Sequence, residues 1–329
     1  MTNNNFSVAL KRTAKKILRS QEFAVLIPLV LLCLATYFAN SNFATPQNLT
    51  GIITGITTNA YLAIGMTLVM ICGDIDISIG PLMGLGMMVT FVLIIQKGWA
   101  FFPAYLAAVA IAVVAGICKG LLVTKLALPP FIATIGFNFI CKGLKYFITR
   151  GQYLYPMPQY LQDFAALRPL GTTWSFLIAV LTFAVFIFIM TKTSFGRKMY
   201  AAGDNREVAK LSGINVDFMR TAAFVILGVL CVTAGILQAI FTKSADPKTG
   251  DTSEMYAIAA SAVGGISFNG GRGSLVGTAI GVVFIAVVNN ALVMFGVDAN
   301  LQTSVVGILL IIAVLFDAVR SKGKISAEA

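Results

Sequence analysis

Residues 103–123 read PAYLAAVAIAVVAGICKGLLV, an apolar run with one charged residue, Lys119. A membrane-spanning helix needs about 20 mostly apolar residues, so this run alone indicates an integral membrane protein. The rest of the 329-residue chain has the same character, because 58% of its residues are hydrophobic and 11% are charged. A soluble domain of this composition would expose much of its apolar surface to water. We therefore expect an all-α integral membrane protein.

Ten apolar segments are candidates for membrane spans. They cover residues 22–39, 49–72, 78–96, 103–123, 130–148, 174–190, 219–241, 253–267, 275–295 and 301–319. About ten transmembrane helices in a single polytopic permease domain, residues 22–320, are predicted from them. A basic segment, 1–21, precedes this domain and a short tail, 321–329, follows it. Whether segment 253–267 spans fully stays open, because it is short and rich in glycine.

The distribution of lysine and arginine predicts the orientation. With the N-terminus inside and ten alternating spans, 17 of the 24 cations fall inside and five fall outside. Lys119 and Lys125 are assigned to an inner loop in this count. The positive-inside rule then predicts cytoplasmic N- and C-termini, a long outer loop at 149–173 and a long inner loop at 191–218. The same excess of lysine and arginine at the inner face accounts for the net charge of +11. These basic residues are attracted to anionic membrane lipid. The charge therefore gives no reason to expect a nucleic-acid partner.

Several kinds of chemistry are excluded by composition. The chain has no histidine, which removes histidine-based catalysis, histidine metal ligands and histidine proton relays. Its five cysteines form no Cys-x-x-Cys pair, and we predict neither a metal site nor catalytic residues. An integral membrane enzyme would have only Asp74 and Asp76 to work with.

The inner loop 191–218 contains the signals of a short helix. Asp204 or Asn205 can cap its start, and Glu207 lies in the first turn, where the helix dipole favours an anion. Gly213 can end the helix in a left-handed conformation. A helix held at both ends between two spans favours docking to a partner over an ordinary solvated loop.

This loop resembles the cytoplasmic coupling loop of the permeases of bacterial ABC importers for ribose, galactose and xylose. The matching or neighbouring positions are Gly196, Arg197, Ala201, Gly203, Asn205, Glu207, Ala209, Gly213, Ile214 and Val216. In that family the loop inserts into a groove of the ATPase subunit. The resemblance implies a permease dimer of like or unlike subunits, a cytoplasmic ATPase that holds ATP and Mg, and an external sugar-binding protein. It also implies the bacterial inner membrane and no cofactor on this chain.

A second match is the segment 73–80, GDIDISIG. Asp76 and Ser78 agree with the family signature, whereas Asp74 stands where the family usually has glycine. Acids at a span boundary must be solvated or paired. One interpretation is a gate, a metal site or a proton site. The other, which we favour, is a capping turn in which Asp76 or Ser78 caps the third span.

Two further segments complete the resemblance. Residues 254–274 match a glycine-rich family segment at Gly264, Gly265, Gly271, Arg272 and Gly273. The chain has no Gly-x-x-x-x-Gly-Lys-Ser/Thr sequence, so these glycines are expected to allow close packing and a tight turn and not to bind phosphate. Residues 125–136, KLALPPFIATIG, form the fourth match. Together the matches run from about residue 50 to residue 320.

Polar residues inside the spans are candidates for a translocation path. Thr134, Asn138, Lys142, Lys145 and Thr149 follow helical spacing on one face of the fifth span. The full candidate set is Thr57, Tyr61, Phe131, Thr134, Asn138, Lys142, Asn289 and Asn290. Neutral hydrogen-bonding groups suit a polyhydroxylated solute. The alternative is hydrogen bonding between helices, with Lys142 and Lys145 snorkelling to the outer headgroups.

These observations predict a permease subunit of an ATP-driven sugar importer that works by alternating access, with ATP hydrolysis on a separate subunit. The alternative is an ion-coupled secondary transporter of a small polar solute. Such a carrier more often has a carboxylate in mid-span, and the sequence places none there. The sequence does not identify the sugar.

Overall fold

The computed structural model describes the backbone of residues 21–328 and the side chains of residues 25–298 and 301–318. The predicted basic segment, 1–21, lies outside these residues except for the backbone of Gln21. The helices are α1 (Gln21–Ala39), α2 (Pro46–Ile71), α3 (Ile79–Phe91, continued by a π-helical turn, Val92–Gln96), α4 (Phe101–Thr124), α5 (Pro130–Thr149), α6 (Gln159–Ala166), α7 (Trp174–Lys192), α8 (Ser194–Asp204), α9 (Arg206–Leu211), α10 (Val216–Thr242), α11 (Ser253–Val263), α12 (Leu275–Met294) and α13 (Ala299–Glu328). Extended pairing within residues 21–328 is limited to one isolated bridge, Leu154–Ala245. The predicted all-α class is confirmed.

Eight helices in the described part of the chain are long and apolar enough to cross a membrane: α2, α3 with its π-helical turn, α4, α5, α7, α10, α12 and the Leu301–Ala318 part of α13. Each corresponds to a predicted segment. The first predicted segment forms α1, whose apolar described part, Val25–Ala39, is shorter. The predicted C-terminal tail is helical, because α13 continues to Glu328.

Segment 253–267 is not a full-length span. Its helix, α11, has 11 residues and is therefore about 16 Å long, roughly half the thickness of the hydrocarbon core. Glycines at 264 and 265 end the helix, and the chain continues as a turn to Ser274.

Contacts between connecting segments define two ends of the bundle. At one end, which we call the α8–α9 end, Gly271 N–H donates to the Ile71 carbonyl at 2.8 Å. At the opposite end, Asn40 Nδ2 donates to the Met294 carbonyl at 3.2 Å. Helix α10 starts at the α8–α9 end, directly after α9, and finishes at the opposite end, just before Ala245. The chain between α10 and α12 therefore returns from the opposite end to the α8–α9 end, although only α11 is helical within it.

Helix α10 lies at the centre and packs against α2, α3 and α4. Small residues allow these close approaches, as is typical where helices pack in lipid. A Cβ atom added at Gly116 of α4 would lie 2.6 Å from the Cα of Val225 in α10. Helix α5 packs outside α3 and α4, while α12 packs against α1, α2 and α11.

Candidate functional site

The inner loop forms two short helices, α8 and α9, where the sequence predicted one. Thr193 caps α8 by accepting from Gly196 N–H at 3.4 Å. Asn205 caps α9, since its Oδ1 accepts from the N–H groups of Glu207 at 3.0 Å and Val208 at 3.1 Å. Of the two predicted caps, Asn205 is thus the one used for α9, and Glu207 lies in the first turn as expected.

The C-terminal end of α9 has the predicted left-handed glycine. Gly213 has a φ of +76°, a conformation that glycine adopts without the strain a Cβ atom imposes. Ile214 N–H donates to the Ala209 carbonyl and Gly213 N–H to the Lys210 carbonyl, each at 3.0 Å. These bonds satisfy carbonyls that a helix end otherwise leaves free.

Helix α9 places its side chains on two faces. Ala209 is buried against the bundle, whereas Leu211 is 90% exposed and Val208 is 57% exposed. Val208 and Leu211 are three positions apart and lie on the same side of the helix. Glu207 and Lys210 are also exposed. The outer side of α9 therefore offers two apolar side chains flanked by charges.

Helix α8 fixes this loop to the bundle. Gly203 packs so closely on the end of α2 that a Cβ atom would overlap the Ile71 carbonyl. Tyr200 donates its hydroxyl to the Gly273 carbonyl at 2.9 Å, and burial raises the pKa of that phenol. Gly196 is buried against Met190, while Arg197 is exposed. Ala201 and Ile214 pack on the main hydrophobic core.

The glycine-rich segment 264–274 closes over the end of α2. Gly271, at φ +69°, donates its N–H to the Ile71 carbonyl, and a Cβ atom added to it would lie 2.6 Å from the Cα of Asp204. The turn is closed by Ser267 N–H donating to the Arg272 carbonyl at 3.2 Å. Gly264 packs against Gly277 of α12. Gly265 and Gly273 also have positive φ, and the Arg272 side chain is exposed.

The non-helical segment 72–78, between α2 and α3, contains both motif aspartates. Asp74 is buried and binds Arg220 of α10 through two bonds of 2.7 Å, from Nε to Oδ2 and from Nη2 to Oδ1. Arg206, the first residue of α9, contacts the same carboxylate at 3.2 Å. Asp74, which stands where the family usually has glycine, is therefore part of an ion-pair network with Arg206 and Arg220. Arg206 belongs to the inner loop.

Asp76 does not cap α3, contrary to the interpretation we favoured. Its Oδ2 forms an ion pair with Lys119 of α4, and both side chains are fully buried. Its Oδ1 accepts from the N–H and the hydroxyl of Ser78, at 2.8 and 2.6 Å. Ser78 precedes α3 without a side-chain cap bond, and its hydroxyl accepts from Lys119 Nζ at 2.9 Å. An unpaired buried carboxylate would cost more free energy than a missing helix cap, so Asp76 pairs with Lys119 and does not cap α3.

The assignment of Lys119 to an inner loop was therefore wrong. It lies inside α4, which ends at Thr124, and its ammonium is paired within the bundle. Its position in an apolar run was the available signal, because a charge there requires a partner. The partner lies 43 positions earlier in the chain, and no local pattern connects the two residues.

The polar face of α5 binds the segments beside it. Asn138 Nδ2 donates to the Ile77 carbonyl at 2.8 Å, and Thr134 lies 3.5 Å from the Ile75 carbonyl. Lys145 is buried and pairs with Asp251 at 2.7 Å, so it does not snorkel. Lys142 is 47% exposed and lies 3.7 Å from the same aspartate.

The path candidates form two groups in this chain. Thr57 and Tyr61 are buried in α2, and the Tyr61 hydroxyl has no hydrogen bond among the described residues. Asn290 of α12 exchanges hydrogen bonds of 3.0 and 2.6 Å with Asn48 of α2, and the buried Oδ1 of Asn289 is unbonded within the described part. The second group lies on α5, which packs against α3 and α4. It consists of the other candidates, Phe131, Thr134, Asn138 and Lys142. Phe131 is 53% exposed.

Comparison with known proteins adds an independent line of evidence. The family model described as "Branched-chain amino acid transport system / permease component" matches residues 48–314. The chain is 34% identical over 303 residues to the ribose import permease protein RbsC of Bacillus subtilis (strain 168), covering 92% of this chain and 94% of the relative. It is 30% identical over 303 residues to the autoinducer 2 import system permease protein LsrC of Escherichia coli (strain K12 / DH10B), covering 92% and 88%. No solved structure gives a significant match.

The fold and the site define a multi-pass helical membrane protein with a loop of two short helices, α8 and α9, at one end. The chain belongs to the permease family whose model matches most of its length. It is a multi-pass protein of the bacterial inner membrane. The resemblance to importer permeases that the four motifs indicated is thereby confirmed.

Proposed function

We propose that this chain is the membrane-spanning permease subunit of an ATP-driven importer of a sugar or a similar polyhydroxylated solute. The observation that carries the proposal is α9, a helix capped at both ends that exposes Val208 and Leu211 while Ala209 faces the bundle. An exposed leucine and valine on a rigid, charged surface favour a protein partner. A separate ATPase subunit, which holds ATP and Mg, is the partner we assign to this helix.

We place the α8–α9 end in the cytoplasm. The chain then crosses ten times, counting eight long helices, α1, and the return between α10 and α12, and both termini are cytoplasmic. The connecting segments and adjoining helix ends on this side carry Lys125, Lys192, Arg197, Lys198, Arg206, Lys210 and Arg272. Those at the opposite end carry Lys97, Arg150, Arg168, Lys243 and Lys248. This bias agrees in sign with the positive-inside rule.

The opposite end, with the loop 149–173 and helix α6, is where an external sugar-binding protein would deliver solute. A second permease subunit, identical or not, completes the path in our proposal. We assign two groups of polar residues to the translocation path. One group lies on α2 and α12, and the other lies on α5. Alternating access then consists of an ATPase-driven movement of α8 and α9 that shifts these helices relative to each other.

The substrate class rests on two observations. The family description mentions branched-chain amino acids, but the relatives with high coverage are named for import of ribose and autoinducer 2. The candidate path residues on α2 and α12 are neutral hydrogen-bonding groups, which suit hydroxyl groups better than an aliphatic side chain. We therefore favour a polyhydroxylated solute over a branched-chain amino acid.

The proposal is tested by purifying the tagged chain from the membranes of its own host in mild detergent. We expect an ABC ATPase and a solute-binding protein to co-purify. Uptake by the same cells, measured with the proton gradient collapsed and ATP maintained, separates the alternatives. Continued uptake supports the ATP-driven importer, whereas loss of uptake without a co-purifying ATPase would support the ion-coupled transporter.

A further inference from the structure

We propose that Asp74 is a positioning residue that couples α9 to the interior of the bundle through Arg206 and Arg220. The proposal deepens the proposed function and rests on it, because it assumes that an ATPase moves α9. It identifies the ion-pair network of these three residues as the connection between the ATPase-binding helix and segment 72–78.

Arg220 holds the carboxylate of Asp74 in place. The Asp74 side chain is 1% exposed and that of Arg220 is 8% exposed. Their two bonds form the bidentate geometry that is the strongest and most directional form of an ion pair. Since Arg220 lies in the first two turns of α10, this pair attaches segment 72–78 to the central helix.

Arg206 joins the same carboxylate from the side of α9. Its Nη2 lies 3.2 Å from Asp74 Oδ1, 3.3 Å from the Gly73 carbonyl and 3.4 Å from the Cys72 carbonyl. Its side chain is 43% exposed and borders a cleft of about 300 Å³. Arg206 can therefore exchange these contacts for water more readily than Arg220, which lines the same cleft but is only 8% exposed.

Segment 72–78 carries this link further into the bundle. Two residues after Asp74, Asp76 pairs with Lys119 of α4, and the Ile77 carbonyl accepts from Asn138 of α5. Helix α3 begins immediately afterwards, at Ile79. A displacement of α9 must either break the three contacts of Arg206 or move a segment that touches α4, α5 and α10. An element held in this way at both ends is a physical route for coupling between two sites.

The test uses the purified complex of this chain with its ATPase, in a Cys-free background that carries Ile77→Cys. The readout is the rate at which a maleimide labels the cysteine introduced at position 77, with and without ATP and vanadate. The variants are Arg206→Gln, which leaves the buried Asp74–Arg220 pair intact, and Asp74→Asn. The matched control is Lys125→Gln, which removes an exposed ion pair with Asp217 at the same end of the bundle.

We expect ATP and vanadate to change the labelling rate in the parent and in Lys125→Gln. In Arg206→Gln and Asp74→Asn this change should be smaller by about fivefold or more when complexes that contain equal amounts of bound ATPase are compared. Asp74→Asn also leaves Arg220 buried without its carboxylate, so its thermal stability should fall, whereas that of Arg206→Gln should not. An unchanged response in Arg206→Gln, an equal loss in Lys125→Gln, or no response in the parent complex would overturn the proposal. If no ATPase binds the parent chain, the proposed function itself fails.

Discussion

At the scale of single residues, the bundle is organised by ion pairs in which at least one partner is buried. Asp74 with Arg220, Asp76 with Lys119, and Lys145 with Asp251 each join different segments of the chain. Moving such charges out of water is expensive, and their attraction offsets this only when geometry is good. These pairs therefore add little to the net free energy of unfolding, and their main effect is to favour one packing of the helices over others. Removing one partner leaves the other charge buried and unpaired.

Lys119→Met should destabilise the protein strongly, because Asp76 would lose its cation inside the bundle. We expect a loss of about 3–5 kcal/mol and a lower midpoint of thermal unfolding in detergent. The double variant Lys119→Met/Asp76→Asn should recover part of this loss, since no buried charge remains. The exposed Lys125→Met control should change stability by less than about 1 kcal/mol. If the single variant Lys119→Met and the double variant unfold at the same temperature, Lys119 and Asp76 are not coupled as described.

At the residue scale, the sequence predicted the acidic partners of the Asp74 and Asp76 ion pairs but not the basic ones. Asp74 and Asp76 were identified as acids that need a partner at a span boundary, but Lys119, Arg206 and Arg220 were counted only as inner-loop charges. Their pairing depends on which helices are neighbours across 43 to 146 positions of chain. Helix packing decides this, and no local spacing records it.

At the scale of helices, local chemistry was the better guide. The Glu207 first turn and the Gly213 end of α9 depend on neighbouring residues only, and both were predicted correctly, while Asn205 was one of the two caps that the sequence offered. Segment 253–267 was ambiguous for the opposite reason. Its glycines fit both a span and a turn, and only the contacts of Gly264 with α12 and of Gly271 with α2 show which applies.

Helix α5 offers a test of the translocation path. Lys142 is half-exposed and only loosely associated with Asp251, so Lys142→Met should leave folding and ATPase co-purification unchanged. If its ammonium lines the path, solute uptake should fall by about tenfold, equivalent to roughly 1.4 kcal/mol. Lys142→Arg keeps the charge and serves as the control. Normal uptake by Lys142→Met would remove this residue from the proposed path.

At the scale of the whole molecule, the four sequence motifs meet. Segments 73–80, 196–216 and 264–274 contact one another around the Ile71 carbonyl, and Thr134 of the fourth segment reaches Ile75. Asp317, near the described end of α13, joins them by accepting from Ser267 Oγ and Phe268 N–H, each at 3.1 Å. The order of these motifs along the chain was readable from the sequence. Their convergence follows from the alternating direction of the helices.

The proposed orientation places Tyr160 outside and Leu211 inside. Both side chains are exposed, at 52% and 90%, so Tyr160→Cys and Leu211→Cys in a Cys-free background should both react readily once the membrane is permeabilised. In intact cells, a membrane-impermeant maleimide should label the cysteine at 160 and not the one at 211. The reverse pattern would invert the topology, and labelling of both would contradict a single orientation.

The most direct test of the central claim compares two leucines at opposite ends of the molecule. Leu211 on α9 is 90% exposed and Leu170 in the loop 149–173 is 92% exposed, so an aspartate at either position should leave folding and abundance unchanged. Burial of an unpaired carboxylate in an interface typically costs several kcal/mol. We therefore predict that Leu211→Asp abolishes co-purification of the ATPase and that Leu170→Asp leaves it at the parent level. Full ATPase recovery with Leu211→Asp, from membranes containing normal amounts of the chain, would contradict the assignment of α9 as the docking helix.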